Sequence, residues 1–305
     1  VECLNKVLEV LMDYLSEYKR WCTFATEDNL HNALQTMDAE EIKDAFYREL
    51  EFGTGGLRGI IAPGTNRMNV YIVAKATQGL VNYLCQRYSR GRSVVIGYDS
   101  RMKSDLFADV TASVFAANGI QVYFWDRLNP VSTVSYAVRY LKASAGIMIT
   151  ASHNPKEYNG YKVYWEDGAQ IVDPQATGIV SSVAAVDIFT GIKIMEEKEA
   201  IDKGLLVYVG EKLDDRYIEE VKKNAINPDV ENKDKIKFVY SPLHGVAARP
   251  VERVLKEMGY TNVYPVKEQE KPDGNFPTCD YANPEDTTVF KLSTELADKV
   301  GAKIC

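Results

Sequence analysis

The sequence predicts an α/β protein: two successive α/β/α-layered domains with mixed, largely parallel sheets, preceded by an N-terminal helical extension, with the second domain truncated. Three observations carry that prediction. The chain has 305 residues, close to two domains at about 150 residues each. From Ser93 onward, short buried apolar runs alternate with amphipathic stretches, the rhythm of βαβ units whose sheet is covered by helices. Before that point the apolar positions recur only at helical spacing. Hydrophobic residues at 46% and charged residues at 26% give an ordinary globular balance, which excludes disordered, collagen-like and disulfide-scaffold classes.

In the extension Leu4, Val7, Leu8, Leu11 and Leu15 share a helical face, as do Ile42 and Phe46, and Asp38 is placed to cap a helix over Ala39 to Leu50. The glycine cluster from Phe52 to Gly59, followed by Pro63-Gly64, predicts a loop between two helices; Asn69 caps the second, from Val70 to Tyr88. Val94 to Ile96, Val122 to Phe124 and Ala145 to Ile149 predict strands, separated by helices over Ser104 to Asn118 and Ser132 to Lys142. Tyr161 to Trp165 and Ala169 to Val172 alternate about Glu166-Asp167-Gly168 and predict a hairpin. A helix from Pro174 to Val186 closes the first unit. Periodicity weakens between Asp187 and Gly210, then restarts with helices over Leu213 to Asn224 and Arg249 to Met258 and strands over Ile236 to Tyr240 and Val263 to Val266. The division therefore falls at residues 1–204 and 205–305. Pro284 to Val300 predicts a further helix, and Gly301 to Cys305 the opening of a strand without its return; an unpaired sheet edge there implies an incomplete second domain, as in a fragment of a longer protein.

Thirty-six Lys and Arg against forty-three Asp and Glu give a net charge of −7, so no global positive field favours nucleic acid or an anionic membrane as partner. An anionic ligand must then be held by locally placed cations. Five cysteines without C-x-x-C spacing predict neither a zinc site nor a disulfide framework, and a reducing cytoplasm is the expected location. No apolar run approaches the roughly 18 residues of a membrane span, and the charged first fifty residues are unlike a signal peptide.

The chemistry-bearing stretch is Thr150-Ala151-Ser152-His153-Asn154-Pro155, directly after the buried run ending at Ile149. Ligands of open α/β sheets gather outside the carboxyl ends of strands, so Ser152 and His153 are aimed at a cleft. The plain alternative is a polar turn with a satisfied histidine. No G-x-S-x-G elbow is present, and neighbouring side chains seldom face each other, so a serine hydrolase triad is not indicated. In the glycine cluster, Arg58 stands where the dinucleotide fingerprint needs its third glycine, and no G-K-[ST] follows. What remains is flexible backbone with a permanently charged guanidinium, a phosphate ligand or a structural ion pair. Lys162 falls on a strand within reach of the serine loop, either as base or phosphate ligand or as a solvated lysine. Gly97-Tyr98-Asp99-Ser100-Arg101 and His244-Gly245 also end strands; Arg101 and His244 are further candidate phosphate ligands, or members of a turn ion pair and a local cap.

Phe52-Gly53-Thr54-Gly55-Gly56-Leu57-Arg58-Gly59, Gly97 to Arg101, Thr150 to Pro155 and Asn159-Gly160-Tyr161-Lys162, in that order, resemble the motifs of the α-D-phosphohexomutase superfamily. The runs Pro63 to Asn69 and Tyr161 to Gln170 are similar to its branch of phosphoglucomutases with a long helical N-terminus and phosphopentomutases. The resemblance implies that Ser152 carries a phosphoryl group, donates it to a sugar monophosphate, and recovers the other phosphoryl of the bisphosphate, moving phosphate from position 1 to position 6 of a hexose. It places Arg58, His153 and Lys162 around that group, with Lys162 physically easier than Arg58 as acid/base and His153 assisting. It also implies Mg2+, held by a phosphoserine oxygen on Ser152 and by three aspartates of a D-x-D-x-D-R loop, with glucose 1,6-bisphosphate as activator. That loop, and the sugar-selecting and phosphate-binding loops of the family's third and fourth domains, are absent from these 305 residues. The expectation is therefore a mutase parent acting on a small-molecule sugar phosphate, completed by domains III and IV, with these residues inactive alone. Phosphopentomutase on ribose or deoxyribose 1-phosphate and a non-catalytic sugar-phosphate-binding module are the alternatives.

Overall fold

The uninterrupted apolar runs become the middle of a sheet buried on both faces. In the computed structural model, which describes residues 14–53, 55–279 and 282–305, six strands lie in the order β1-β5-β4-β2-β3-β6. They are β1 (Leu57–Ile60), β2 (Ser93–Tyr98), β3 (Gln121–Trp125), β4 (Ala145–Ile149), β5 (Tyr158–Trp165) and β6 (Leu206–Val209). β4, β2, β3 and β6 run parallel, while β5 and β1 are antiparallel at one edge, so the sheet is mixed and largely parallel as expected. Alternation divides its two faces. Val94, Ile96, Ile147 and Ile149 pack with Leu80 of α4 (Val70–Arg87) and Phe107 of α5 (Ser104–Ala117), whereas Val95, Met148 and Tyr164 pack with Val134 and Val138 of α6 (Val131–Leu141).

The extension is part of this core. Residues 14–24 form α1, followed by α2 (Asp28–Thr36) and α3 (Ala39–Phe46). Trp21 is fully buried, edge-on to Phe46, Tyr71 and Phe189. Asp38 caps α3 in a reciprocal box with Glu41. The helix expected to reach Leu50 stops at Phe46 because its last carbonyls are taken from outside: Asn66 donates to Asp44 O and Ala45 O, and Thr65 Oγ1 to Arg48 O at 2.7 Å. The helical face of Leu4, Val7, Leu8 and Leu11 lies outside the described residues.

Three further differences from the sequence reading are instructive. The glycine cluster is not only a loop, since Leu57–Ile60 pairs antiparallel with β5, Arg58 opposite Gly160. The strand expected at Ala169 to Val172 is reduced to a Tyr164–Gln170 bridge beyond the 166–168 turn. β6, just past the expected 204/205 division, extends the first sheet through parallel pairing with β3. After α7 (Gln175–Ala184) and α8 (Glu197–Asp202) comes α9 (Glu211–Lys223), whose Leu213 also joins the α6 face.

The second unit has parallel β7 (Lys237–Tyr240) and β8 (Asn262–Pro265), linked through α10 (Ala248–Glu257) and followed by α11 (Lys267–Glu270) and α12 (Lys291–Val300). α12 begins seven residues later than the expected Pro284, behind turns made by the Asn283 and Asp286 side chains. Ile304 bridges β7 in parallel at Phe238, where the sequence places the opening of a strand.

Close approach of β1 to β5 needs glycine. Gly56 has φ +80, and a Cβ there would lie 2.0 Å from Tyr161 O. Gly56→Ala is expected to lower the unfolding free energy by about 2–4 kcal/mol, adding the left-handed penalty to overpacking. Urea unfolding of the two chains reads this directly; an unchanged midpoint would show that β1 is not held against β5.

Candidate active site

β4 ends at Ile149, and the next residues turn out of the sheet at its carboxyl end. The turn is anchored from beneath by Asp99 at the end of β2. Asp99 accepts the Thr150 hydroxyl, the Ser104 hydroxyl at 3.1 Å and the Arg101 N–H at 3.1 Å, and Thr150 Oγ1 in turn accepts the Ser152 N–H at 2.9 Å. Burial pushes the Asp99 carboxyl above the usual carboxylate range, and the hydrogen bonds from Thr150 and the Arg101 N–H pull it back. Ser152 adopts φ +55, an uncommon conformation for a residue with a side chain, and is exposed. Its Oγ stands 3.4 Å from His153 Nδ1, so these neighbours do face each other, contrary to the general expectation.

β1 and β5 supply the cations. Arg58 pairs with Gly160, and Lys162 lies two residues further along β5, opposite Met148 of β4, so both project from the same face of the sheet. A cleft is lined by Gly53, Gly55, Arg58, Ser152 and Lys162, together with Arg48 and Glu51. Arg58 Nη1 donates to Asn154 Oδ1 at 3.2 Å, tying the β1 edge to the serine loop. Lys162 is half-buried; burial, and then the charge of Arg58, hold its ammonium below its ordinary pKa, with Asp99 opposing. Gly160 lets these parts close: a Cβ there would fall 2.6 Å from Thr150 O and 2.7 Å from Leu57 O.

Two candidates are placed elsewhere. Arg101 is 3% exposed, and its guanidinium donates to the carbonyls of Ser152, Asn154, Pro155 and Tyr158 at 2.5–3.0 Å. It holds the loop from behind instead of presenting those donors to a phosphate. His244 is 2% exposed with its ring hydrogen-bonded to Thr278 Oγ1 at 2.8 Å, and it is not among the cleft residues. Sequence reading missed Asn154, Arg48 and Glu51. Of these, only Asn154 carried a signal, as a polar residue inside the serine motif.

The donor set tests the implied metal. The cleft's charged groups are Arg48, Arg58 and Lys162 against Glu51, and Asp99 is already committed to Thr150, Ser104 and Arg101. Among the described residues no three His, Cys, Asp or Glu are grouped to hold a metal ion. These residues do not themselves form the Mg2+ site that the resemblance implies, and no step below passes through it. Among the described residues there is also no helix long and apolar enough to cross a membrane.

Fold and cleft define a pair of α/β/α units with a serine loop set among cations at the carboxyl end of a parallel strand. Models of the phosphoglucomutase/phosphomannomutase alpha/beta/alpha domains I and II match residues 49–188 and 215–305, and the chain belongs to the α-D-phosphohexomutase superfamily. It is similar to a Mus musculus phosphopentomutase, 37% identical over 288 residues, covering 92% of this chain and 46% of that protein. A Staphylococcus saprophyticus phosphoglucomutase is 35% identical over 284 residues, covering 93% of this chain and 51% of that protein. A human glucose 1,6-bisphosphate synthase is 37% identical over 292 residues, covering 92% and 46%. The chain thus spans about half the length of the curated relatives it matches. A Thermus thermophilus structure described as a phosphomannomutase superposes with a TM-score of 0.67 at 24% identity over 82% of this chain and 52% of that one, which supports the fold alone.

Proposed function

We propose that these residues form the phosphoacceptor half of a phosphosugar mutase, with Ser152 as the temporary carrier of the phosphoryl group. The observation that carries this reading is the exposed Ser152 hydroxyl in a cleft shared with Arg58 and Lys162. Phosphoryl transfer asks mainly for in-line positioning and neutralisation of charge, which explains a serine without a triad. In the loading step Ser152 Oγ bonds to phosphorus of a sugar bisphosphate, the bond from phosphorus to the sugar oxygen breaks, and the Oγ proton passes to Lys162 Nζ. Lys162 Nζ, now an ammonium, passes that proton on to the departing sugar oxygen. In the reverse sense a sugar hydroxyl takes the phosphoryl group from Ser152. Arg58 balances charge on the equatorial oxygens, and His153, at 3.4 Å from Oγ, orients the serine. Arg101 and His244 have no phosphate contact in this scheme.

The substrate of the whole protein is proposed to be glucose 1-phosphate, converted to glucose 6-phosphate with glucose 1,6-bisphosphate as activator. The phosphopentomutase relative at 37% identity favours ribose or deoxyribose 1-phosphate as a second reading. Comparing kcat/KM of the whole protein on glucose 1-phosphate and ribose 1-phosphate separates them. Because the chain covers about half of its relatives, we propose that further domains supply the Mg2+ ligands and the sugar-selecting loop, and that the enzyme works in the cytoplasm. The 305 residues alone are accordingly expected to give no glucose 6-phosphate in a coupled dehydrogenase assay with glucose 1-phosphate, Mg2+ and glucose 1,6-bisphosphate. Turnover attributable to them would overturn this division of the site.

A further inference from the structure

The second unit touches the first at the point where the serine loop is held. Arg101 donates to four carbonyls of the loop region, and its guanidinium lies over the Phe276 ring, 5.3 Å from the centroid. Its neighbour Ser100 donates its hydroxyl to the His244 carbonyl at 3.0 Å, and that carbonyl also accepts the Asp273 N–H at 3.0 Å. His244 is itself fixed within the second unit. Its N–H donates to Gln269 O, its ring bonds Thr278, and Gln269, 1% exposed, bonds both Thr278 and Ser241. Gly274 completes the contact by backbone approach: a Cβ there would lie 2.5 Å from Ser100 O and 2.8 Å from Met102 N.

We propose that Phe276 and His244 are positioning residues for the Ser152 loop, acting through Arg101 and Ser100, so that the second unit sets the geometry of the phosphoacceptor. The reasoning is chemical. The seam between the two units ends on an arginine whose Nη1 and Nη2 donate to carbonyls of the serine-loop region. The Phe276 ring packs on the guanidinium that donates to the four carbonyls, and the Ser100 to His244 bond fixes the backbone from which Arg101 springs. Ser100, between Asp99 and Arg101, thus bears on the second unit while those two hold the loop. Non-glycine residues with φ of +49 to +60 stand on both sides of the contact, Ser152 on one and Leu243, His244 and Phe276 on the other. Such conformations persist where the surroundings over-determine them.

The inference rests on the phosphoacceptor reading only for its second readout. The first is amide hydrogen exchange in the 305-residue chain and its Phe276→Leu, Phe276→Tyr and Gly274→Ala variants. The Ser152 and Asn154 amides are hydrogen-bonded within the loop, to Thr150 Oγ1 and Ala151 O, and report its opening. Exchange at both is expected about tenfold faster in Phe276→Leu and Gly274→Ala, and unchanged in Phe276→Tyr, which keeps the ring face. Protection in β2 and β4 stays constant. Equal loop exchange in all four chains overturns the proposal, including where Phe276→Leu has loosened β7 and β8. The second readout, made on the whole protein, is Ser152 labelling by 32P-glucose 1,6-bisphosphate. Its rate constant is expected to fall about tenfold in Phe276→Leu with half-saturation unchanged, and to recover in Phe276→Tyr. Absence of label on the unmodified whole protein counts against the phosphoacceptor reading, and exchange then decides the coupling by itself.

Discussion

Ser152→Ala is expected to abolish phosphate uptake from labelled glucose 1,6-bisphosphate and to lower mutase turnover of the whole protein by about three orders of magnitude or more. The magnitude follows from what is removed. Alanine deletes the oxygen that accepts and returns the phosphoryl group, and the described contacts offer no second hydroxyl in its place: Thr150 Oγ1 donates to buried Asp99 and accepts the Ser152 N–H. The substitution should leave the fold intact, because the exposed Ser152 side chain has His153 as its described partner at 3.4 Å and contributes little packing. Anion exchange followed by peptide mapping of the labelled protein reads the result. Retained label on another residue, with an unchanged melting temperature, would move the phosphoacceptor and sink the assignment.

How much of this was legible in the sequence depends on how local the cause is. β4 was read at Ala145 to Ile149 because it is an uninterrupted apolar run, and the Asp38 and Asn69 caps because each polar side chain serves amides two or three residues away. The strand around Arg58 was not legible. Four residues among glycines have no period of their own, and their extended form comes from pairing with β5 about a hundred residues later. β6 was not legible for the same reason, since only its partner β3 says which sheet it joins. Within the site, the order of motifs pointed to Ser152, Arg58 and Lys162. It did not separate an arginine that lines the cleft, Arg58, from one whose guanidinium is turned to carbonyls, Arg101. Arg101 ends a strand beside the serine loop, and only the four backbone oxygens it bonds show that its guanidinium is turned to the loop backbone.

Lys162→Met is expected to lower kcat of the whole protein by about 10²–10⁴, the usual range for removing a general acid or base. It should also remove the rise of the serine-loading rate with pH. The sign follows from the surroundings. Burial first, and the Arg58 charge second, hold the Lys162 ammonium below its ordinary pKa of 10.5, so at a given pH more of the amine is free to take the Ser152 proton. The rate of serine loading should therefore rise with pH and level off above this lowered value. Arg58→Met removes one of the two causes, and the inflection should move up. Once the phosphoryl group is seated on Ser152, its negative charge acts on Lys162 in the opposite sense and favours the ammonium. The same residue is then free amine when an oxygen must lose a proton and charged when the leaving oxygen needs one, which is what a transfer that runs in both directions requires. Pre-steady-state labelling across pH, with Arg58→Met and Lys162→Met beside the unmodified enzyme, measures this. A profile in which the inflection stays in place without Lys162 would assign the proton to another group.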